Sequence, residues 1–270
     1  MRTTWDGDAE VGGRALPSAP MVSVQPGPGA TARVHSIESC GLFDGPGVRM
    51  VVFLQGCLMR CRYCHNPDTW EVRGGTLMEA EALVAQARRF RPFLKRGGGI
   101  TVGGGEPMLQ RPFLSHFFTK LQAEGFHTCL DTNGYAPDDA LTREVLARTN
   151  LVILDLKALP EDYPAVTGLP PNRTFGFLDL LTELNIPTWI RHVVVPGLTG
   201  SAATTAGLAQ RLVGRQNIER IELLPYHRMG VAKYQQLGLR DPLPGVEPPD
   251  ATYLAAAAAP FLAAGLPLRS

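Results

Sequence analysis

From residue 48 onward the chain alternates short apolar runs with amphipathic stretches, and this rhythm restricts its fold more than any other feature. The runs at 48–54, 99–102, 128–131, 151–156, 188–195 and 218–224 are short and apolar, several of them β-branched, and read as strands. Between them, 78–90, 113–124, 138–148, 175–184 and 202–213 carry helical periodicity, and the Ala-rich stretch 251–264 reads as a closing helix. Strands separated by helices pair in parallel through crossover connections. About six such units are present, too few for the eight of a closed barrel. The expected fold class is α/β, an open, partial (β/α)6 TIM-like barrel. Residues 34–39 add one earlier strand, and Asp44-Gly45-Pro46-Gly47 reads as a turn before the first unit.

The ends and the bulk composition set further bounds. Residues 1–30 are rich in Gly, Pro, Ala and Ser without periodicity, which predicts a disordered extension ahead of one folded domain over 31–270. That segment lacks the apolar core of a secretory signal. No apolar run approaches the roughly 20 residues that span a bilayer. A hydrophobic content of 44% suits a globular core. A net charge of +1 leaves no footprint for nucleic acid or an anionic membrane surface. The five cysteines are odd in number and have no disulfide-framework spacing, so a reducing, cytoplasmic location is expected.

Three of those cysteines, Cys57, Cys61 and Cys64, stand at C-x3-C-x2-C spacing directly after the strand at 48–54. In α/β barrels the chemistry sits in loops at the C-terminal ends of strands. The spacing alone leaves three readings open. His65 could complete a zinc site. Cys61 and Cys64 could form a redox pair, although such pairs normally open a helix. Three thiolates could also hold an iron–sulfur cube, leaving one iron free to bind a small chelating molecule. A second segment, Gly103-Gly104-Gly105-Glu106-Pro107, follows the strand at 99–102. Glycines let backbone approach a ligand closely, but alone this segment also reads as a plain turn.

The order of cysteine loop, helix, strand and Gly-Gly-Glu-Pro resembles the radical S-adenosylmethionine superfamily. Longer motifs are similar to the pyruvate formate-lyase activating enzymes within it. They are His35-Ser36-Ile37-Glu38-Ser39-Cys40-Gly41, Asp44-Gly45-Pro46-Gly47-Val48-Arg49, and Phe53-Leu54-Gln55-Gly56-Cys57 through Asn66-Pro67-Asp68-Thr69-Trp70. Further along come His127-Thr128-Cys129-Leu130-Asp131-Thr132-Asn133-Gly134, Leu154-Asp155-Leu156-Lys157, Trp189-Ile190-Arg191 and Ile221-Glu222-Leu223-Leu224-Pro225-Tyr226-His227. The similarity runs from near residue 33 to near residue 249.

The resemblance implies a role for each matching residue. Cys57, Cys61 and Cys64 would hold a [4Fe–4S] cluster whose fourth iron takes the amine and carboxylate of S-adenosylmethionine. Tyr63 would lie near the adenine, and Gly104, Gly105 and Glu106 would meet the methionine part. Asp131, Thr132 and Asp155, with the carbonyl of Ile153, resemble the ligands of a monovalent cation beside the cofactor carboxylate. A hard cation takes such oxygen ligands. Ile153 replaces a Met of the family, a change that a backbone ligand tolerates. Arg191 would contact the cofactor or serve a structural salt bridge. Lys157 and His227 would lie at the open mouth near an incoming peptide, and Asp44 would form its turn or touch that peptide. Cys40 and Cys129 match positions that are not ligands and read as packing residues.

The implied activity is reductive cleavage of S-adenosylmethionine to methionine and a 5′-deoxyadenosyl radical. That radical would abstract hydrogen from a glycine Cα of a glycyl radical enzyme, pyruvate formate-lyase first among them. Reduced flavodoxin or ferredoxin would supply the electron, and the chain would act as a monomer. No Cys lies between Cys64 and Gly103, so the ferredoxin-like insert of some other activators is absent. The rivals are activation of a different glycyl radical enzyme, radical chemistry on a small molecule, and a zinc-binding interaction domain.

Overall fold

The computed structural model describes residues 30–94 and 97–269. The expected extension lies, up to residue 29, outside the described residues. The strands are β1 (Thr31–Gly41), β2 (Arg49–Leu54), β3 (Thr76–Glu79), β4 (Gly99–Gly104), β5 (His127–Thr132), β6 (Leu151–Asp155), β7 (Thr188–Val194), β8 (Ile218–Pro225) and β9 (Leu268–Arg269). They form one sheet in the order β3-β1-β2-β4-β5-β6-β7-β8-β9. The run from β2 to β9 is parallel, and β1 is antiparallel to both β2 and β3. Because β3 and β9 end the order, the sheet stays open. This is the partial barrel that the alternation predicts.

Crossover helices cover the outer face of the sheet. They are α1 (Ala80–Phe90), α2 (Arg111–Ala123), α3 (Ala140–Leu146), α5 (Asn172–Glu183) and α6 (Ala202–Leu212), while the short α4 (Tyr163–Thr167) packs with the 57–63 loop and α7 (Val231–Gln236) and α8 (Ala251–Ala263) follow later. Strand side chains alternate between faces. Met50, Val52 and Leu54 of β2, Ile100 and Val102 of β4, and Val152 and Leu154 of β6 point outward into the main core. There they meet Leu83 and Val84 of α1 and Phe113, Leu114, Phe117 and Phe118 of α2. Each of these residues is buried by removal of apolar surface from water, the main favourable term in folding. Among the described residues no helix is long and apolar enough to cross a membrane.

The differences from expectation have local causes. Residues 78 and 79 belong to an edge strand rather than a helix, because β3 pairs with residues 31–34 of β1 and α1 starts only at Ala80. Helix α3 starts at Ala140 because the Asp139 carboxylate accepts the Thr142 N–H at 2.8 Å and caps it. Helices α4 and α7 and strand β9 are too short to leave a period in the sequence. Cys129 is fully buried, as read, but Cys40 is exposed. It lies where the β1–β2 register slips between Glu38 and Gly41, so β1 has lost its regular pairing there.

Candidate functional site

The alternate residues of the parallel strands face the inside of the open barrel, and the register stacks them in levels. Asp131 of β5 stands level with Ile153 of β6 and Trp189 of β7. Asp155 of β6 stands level with Arg191 of β7 and Glu222 of β8. Arg191 reaches across β6 to Asp131 at 2.9 Å and also meets Glu222 at 3.4 Å. Its other nitrogen donates to the Phe43 carbonyl at 2.8 Å, which brings the 42–47 loop to the site. Lys157 sits 2.7 Å from Asp155. Burial pushes the Asp131 carboxyl up, Arg191 pulls it down, and Asp155 and Asp44 push it up again, to about 6. Burial works against the Lys157 ammonium, but Asp155 and the groups around it outweigh that and hold it well above its ordinary value.

The cysteine loop closes the top of this interior. Gly56 takes a left-handed φ of 101°, and its N–H donates to the Thr69 carbonyl at 2.9 Å. Helix α4 ends at left-handed Gly168, leaving last-turn carbonyls without helical partners. The loop uses them: Arg60 N donates to Thr167 O at 2.7 Å and Arg62 N to Val166 O at 3.0 Å. The Arg60 guanidinium turns inward and donates to the carbonyls of Cys57 and Met59 at 2.7 and 2.9 Å. On the other side, a Cβ on Gly104 would lie 2.2 Å from Leu54 O, and one on Gly105 would lie 2.3 Å from Gly56 O. These glycines therefore let β4 press against the base of the cysteine loop, a close approach of backbone to backbone.

Cys57, Cys61 and Cys64 line one cavity of about 280 Å³ together with Asp44, Tyr63, Gly104, Gly105, Asp131, Thr132, Asp155, Lys157 and Arg191. Eleven chain positions singled out in the sequence thus converge with Asp44 on one space. Two do not. Glu106 is 1% exposed and spends both carboxylate oxygens on Met108 N, Thr132 Oγ1 and Asn133 N, at 2.9, 2.6 and 2.8 Å. Burial pushes its pKa up to about 7, against those three donors. His227 lies behind the loop, stacked on His65 with ring centroids 3.8 Å apart, and lines a separate crevice. Lys157 is within the cavity rather than at an exposed mouth. Tyr63 donates its hydroxyl to the Lys157 carbonyl at 3.3 Å, which sets its ring as a cavity wall.

Asn133, Trp70 and Glu222 also serve the site without having been singled out. Asn133 Nδ2 lies 3.9 Å from Cys57 Sγ, and Trp70 lines the cavity. All three stand inside the motifs named above, beside residues with assigned roles. What Glu222 does there follows from its register with Arg191.

The donor set fits an iron–sulfur cluster. Burial and the neighbouring Cys61, Glu106 and Cys64 push the Cys57 thiol up, and Cys61 is pushed up to about 12, mainly by burial. Thiols held neutral in this way would give up their protons when a metal binds the thiolate form. His65 does not complete a tetrahedral set, because its Nε2 meets the His227 carbonyl at 3.0 Å. Among the described residues no group of three or more His, Cys, Asp or Glu is placed so that it could hold a single metal ion. The facing Asp131 and Asp155 already have Arg191 and Lys157 as counter-charges.

Replacing Glu106 by Gln is expected to destabilise the protein by about 1–3 kcal/mol, because one buried N–H loses its acceptor. Denaturant unfolding of the metal-free chain checks this, with Glu106→Asp losing less than Glu106→Gln only if charge matters more than reach.

The fold and the three-cysteine cavity define a class, and comparison with known proteins agrees with it. The model of the Radical SAM superfamily matches residues 51–208. The chain is 44% identical over 220 residues to the pyruvate formate-lyase-activating enzyme of Clostridium pasteurianum, covering 81% of this chain and 92% of that one. It is likewise 44% identical over 220 residues to the pyruvate formate-lyase 1-activating enzyme of Escherichia coli K12, covering 80% and 89%. The solved radical SAM methyltransferase of Sphaerobacter thermophilus shares the fold with a TM-score of 0.60 at 18% identity, over 82% of this chain and 65% of that one. The chain belongs to the pyruvate formate-lyase-activating enzymes of the Radical SAM superfamily.

Proposed function

We propose that this protein activates a glycyl radical enzyme, most directly pyruvate formate-lyase, working as a monomer in a reducing cytoplasm. The observation that carries the reading is the placing of three cysteines, with no fourth cysteine among the described residues beside them, on the wall of a cavity at the C-terminal ends of parallel strands. Identity of 44% to activating enzymes over most of their length supports it. When bound, the [4Fe–4S] cluster supplies one electron and S-adenosylmethionine supplies the 5′-deoxyadenosyl radical that takes hydrogen from a glycine Cα of the partner. Hard chemistry of this kind belongs to the cofactor, and the protein positions it.

The chain's own residues then have distinct tasks. Cys57, Cys61 and Cys64 would hold the cluster. Tyr63, fixed through its hydroxyl, forms a cavity wall and would lie beside the adenine. Gly104 and Gly105 pin β4 to the cysteine loop, the Gly105 N–H donating to the Leu54 carbonyl at 2.9 Å, and would leave room beside them for the methionine part. Glu106 acts through Thr132 and Asn133, whose positions it fixes from beneath. Asp131, Asp155, Lys157 and Arg191 form a lattice of near-balanced charge that can orient a zwitterion. A monovalent cation held by Asp131, Thr132, Asp155 and the Ile153 carbonyl would share those carboxylates with Arg191 and Lys157. Asp44, drawn in beside Arg191, and Lys157 face the space that the partner's glycine loop must reach.

Anaerobic incubation of the reduced, cluster-loaded protein with S-adenosylmethionine and pyruvate formate-lyase is expected to give a glycyl radical by electron paramagnetic resonance. A silent partner, in a reaction that forms 5′-deoxyadenosine normally, overturns the substrate assignment.

A further inference from the structure

Helix α7 backs the outer side of the cysteine loop, and three contacts hold it there. Lys233 Nζ donates to Asn66 Oδ1 at 2.7 Å and meets Asp68 at 3.0 Å. The Tyr234 ring stands edge-on to Trp70, with ring centroids 5.8 Å apart. Just before the helix, a Cβ on Gly230 would lie 3.0 Å from His65 Cα and 3.2 Å from the Cys64 carbonyl oxygen, so the backbones press together. All three contacts fall on or just after the third cysteine, which fixes Tyr234 relative to it.

Between α7 and the loop lies a crevice of about 10 Å³, lined among others by Cys64, His65, His227, Tyr234 and Asp241. That volume accommodates one water molecule. Most polar groups around it are already paired. His65 Nε2 meets the His227 carbonyl at 3.0 Å, and Arg62 donates to the Pro242 carbonyl at 3.3 Å. Asp241 accepts the Leu243 N–H at 2.9 Å and lies 3.6 Å from Arg228. Two atoms differ. The Tyr234 hydroxyl and His227 Nδ1 are buried and meet no partner among the described residues. Tyr234 as a whole is only 4% exposed.

Buried polar atoms rarely stay unpaired, because the loss of hydration is not returned. One water satisfies both. It accepts the Tyr234 hydroxyl proton and donates to His227 Nδ1, in the tautomer that carries its proton on Nε2. Its second hydrogen is then free for the Cys64 side of the crevice. Burial holds the Tyr234 hydroxyl well above its ordinary value, and the nearby Cys64 and Cys61 add to this, so it remains a donor. Of the three site cysteines, Cys64 alone is partly exposed, so its outer side is the one such a group can reach. A reduced cluster carries one more negative charge than an oxidised one. Hydrogen bonds to its sulfurs stabilise that charge and raise the reduction potential.

We propose that Tyr234 and His227 hold one ordered water behind Cys64, and that this water, hydrogen-bonded toward the cysteine sulfur, stabilises the reduced form of the bound cluster. The proposal rests on the cluster reading given above. Tyr234 is then a positioning residue, since it acts through the water it holds.

The test compares the full-length wild type with Tyr234→Phe, which removes one oxygen and keeps the ring against Trp70. Crystals of the metal-free chain should show a water between Tyr234 Oη and His227 Nδ1 in the wild type and none in the variant. A potentiometric titration of the reconstituted cluster, followed by electron paramagnetic resonance, should show reduction of the variant about tenfold less favourable. For a one-electron couple that lowers the midpoint by about 59 mV. His227→Phe, which keeps a ring on His65 but lacks Nδ1, should shift the midpoint in the same direction and carries the comparison if Tyr234→Phe loads iron poorly. Absence of the water in the wild type, or equal midpoints in the iron-loaded proteins, overturns the proposal. Failure of the cluster reading would look different, because the wild type itself would take up no iron and give no reduced signal.

Discussion

Cys61→Ala is expected to lower cofactor cleavage by more than about a hundredfold, beyond what loss of an outer partner of a metal site costs. Two thiolates would then remain where three hold the cluster. The side chain is small and its backbone amide bonds belong to the loop, so the fold should survive: Arg60 and Arg62 keep their hold on α4, and Cys64 N keeps the residue-61 carbonyl. Removing a thiol that burial keeps at about 12 leaves no unpaired charge behind. The check is iron and sulfide content after anaerobic reconstitution, with 5′-deoxyadenosine yield measured beside it. Near-normal thermal unfolding of the metal-free variant separates loss of cluster from loss of fold. Retained cleavage would sink the assignment of Cys61 as a ligand.

Arg191→Met is expected to destabilise the protein by about 3–5 kcal/mol, the cost of leaving a buried charge without its partner. Arg191 is 12% exposed at its side chain, and its partners Asp131 and Glu222 are 16% and 13% exposed. Without it, Asp131 would face Asp155 and Asp44 with only Lys157 to compensate, and two of the three already push it up. The sign of the pH dependence follows. Asp131 has a folded pKa raised to about 6, so its contribution favours folding below its ordinary value of 3.8 and is lost as pH rises through 6. Removing Arg191 raises it further, so the variant should lose most stability at neutral pH and regain part of it in mild acid. Urea unfolding at pH 5 and pH 7.5 checks this. Adding Asp131→Asn should recover part of the loss at pH 7.5, and no recovery would show that Arg191 serves packing alone.

Much of this could be read from residues in order. The alternation of strands and helices implied an open parallel barrel, because a parallel pair needs a crossover and six units do not close. The cysteine spacing and the Gly-Gly-Glu-Pro segment marked the site, because ligands on one short loop are near each other in any fold. The elements that escaped were those whose existence depends on a distant partner. Strand β3 forms because β1 offers it an edge. Helix α4 is a single short turn with meaning only as the carbonyl shelf under Arg60 and Arg62.

Glu106 and His227 show the same boundary within the site. Their neighbours in sequence marked both for the cofactor or the substrate. The fold instead turns Glu106 inward to three donors and stacks His227 behind His65. Motif membership says that a residue matters but not which way its side chain points. Which carboxylate Arg191 would neutralise was likewise beyond reach, since it depends on a register that sets β7 level with β6 and lets a long side chain cross to β5. Residue type and spacing thus specify the chemistry, because ligand identity and loop length are local properties. Orientation, burial and the pairing of charges come from strands brought together across long stretches of chain, and no local property encodes them.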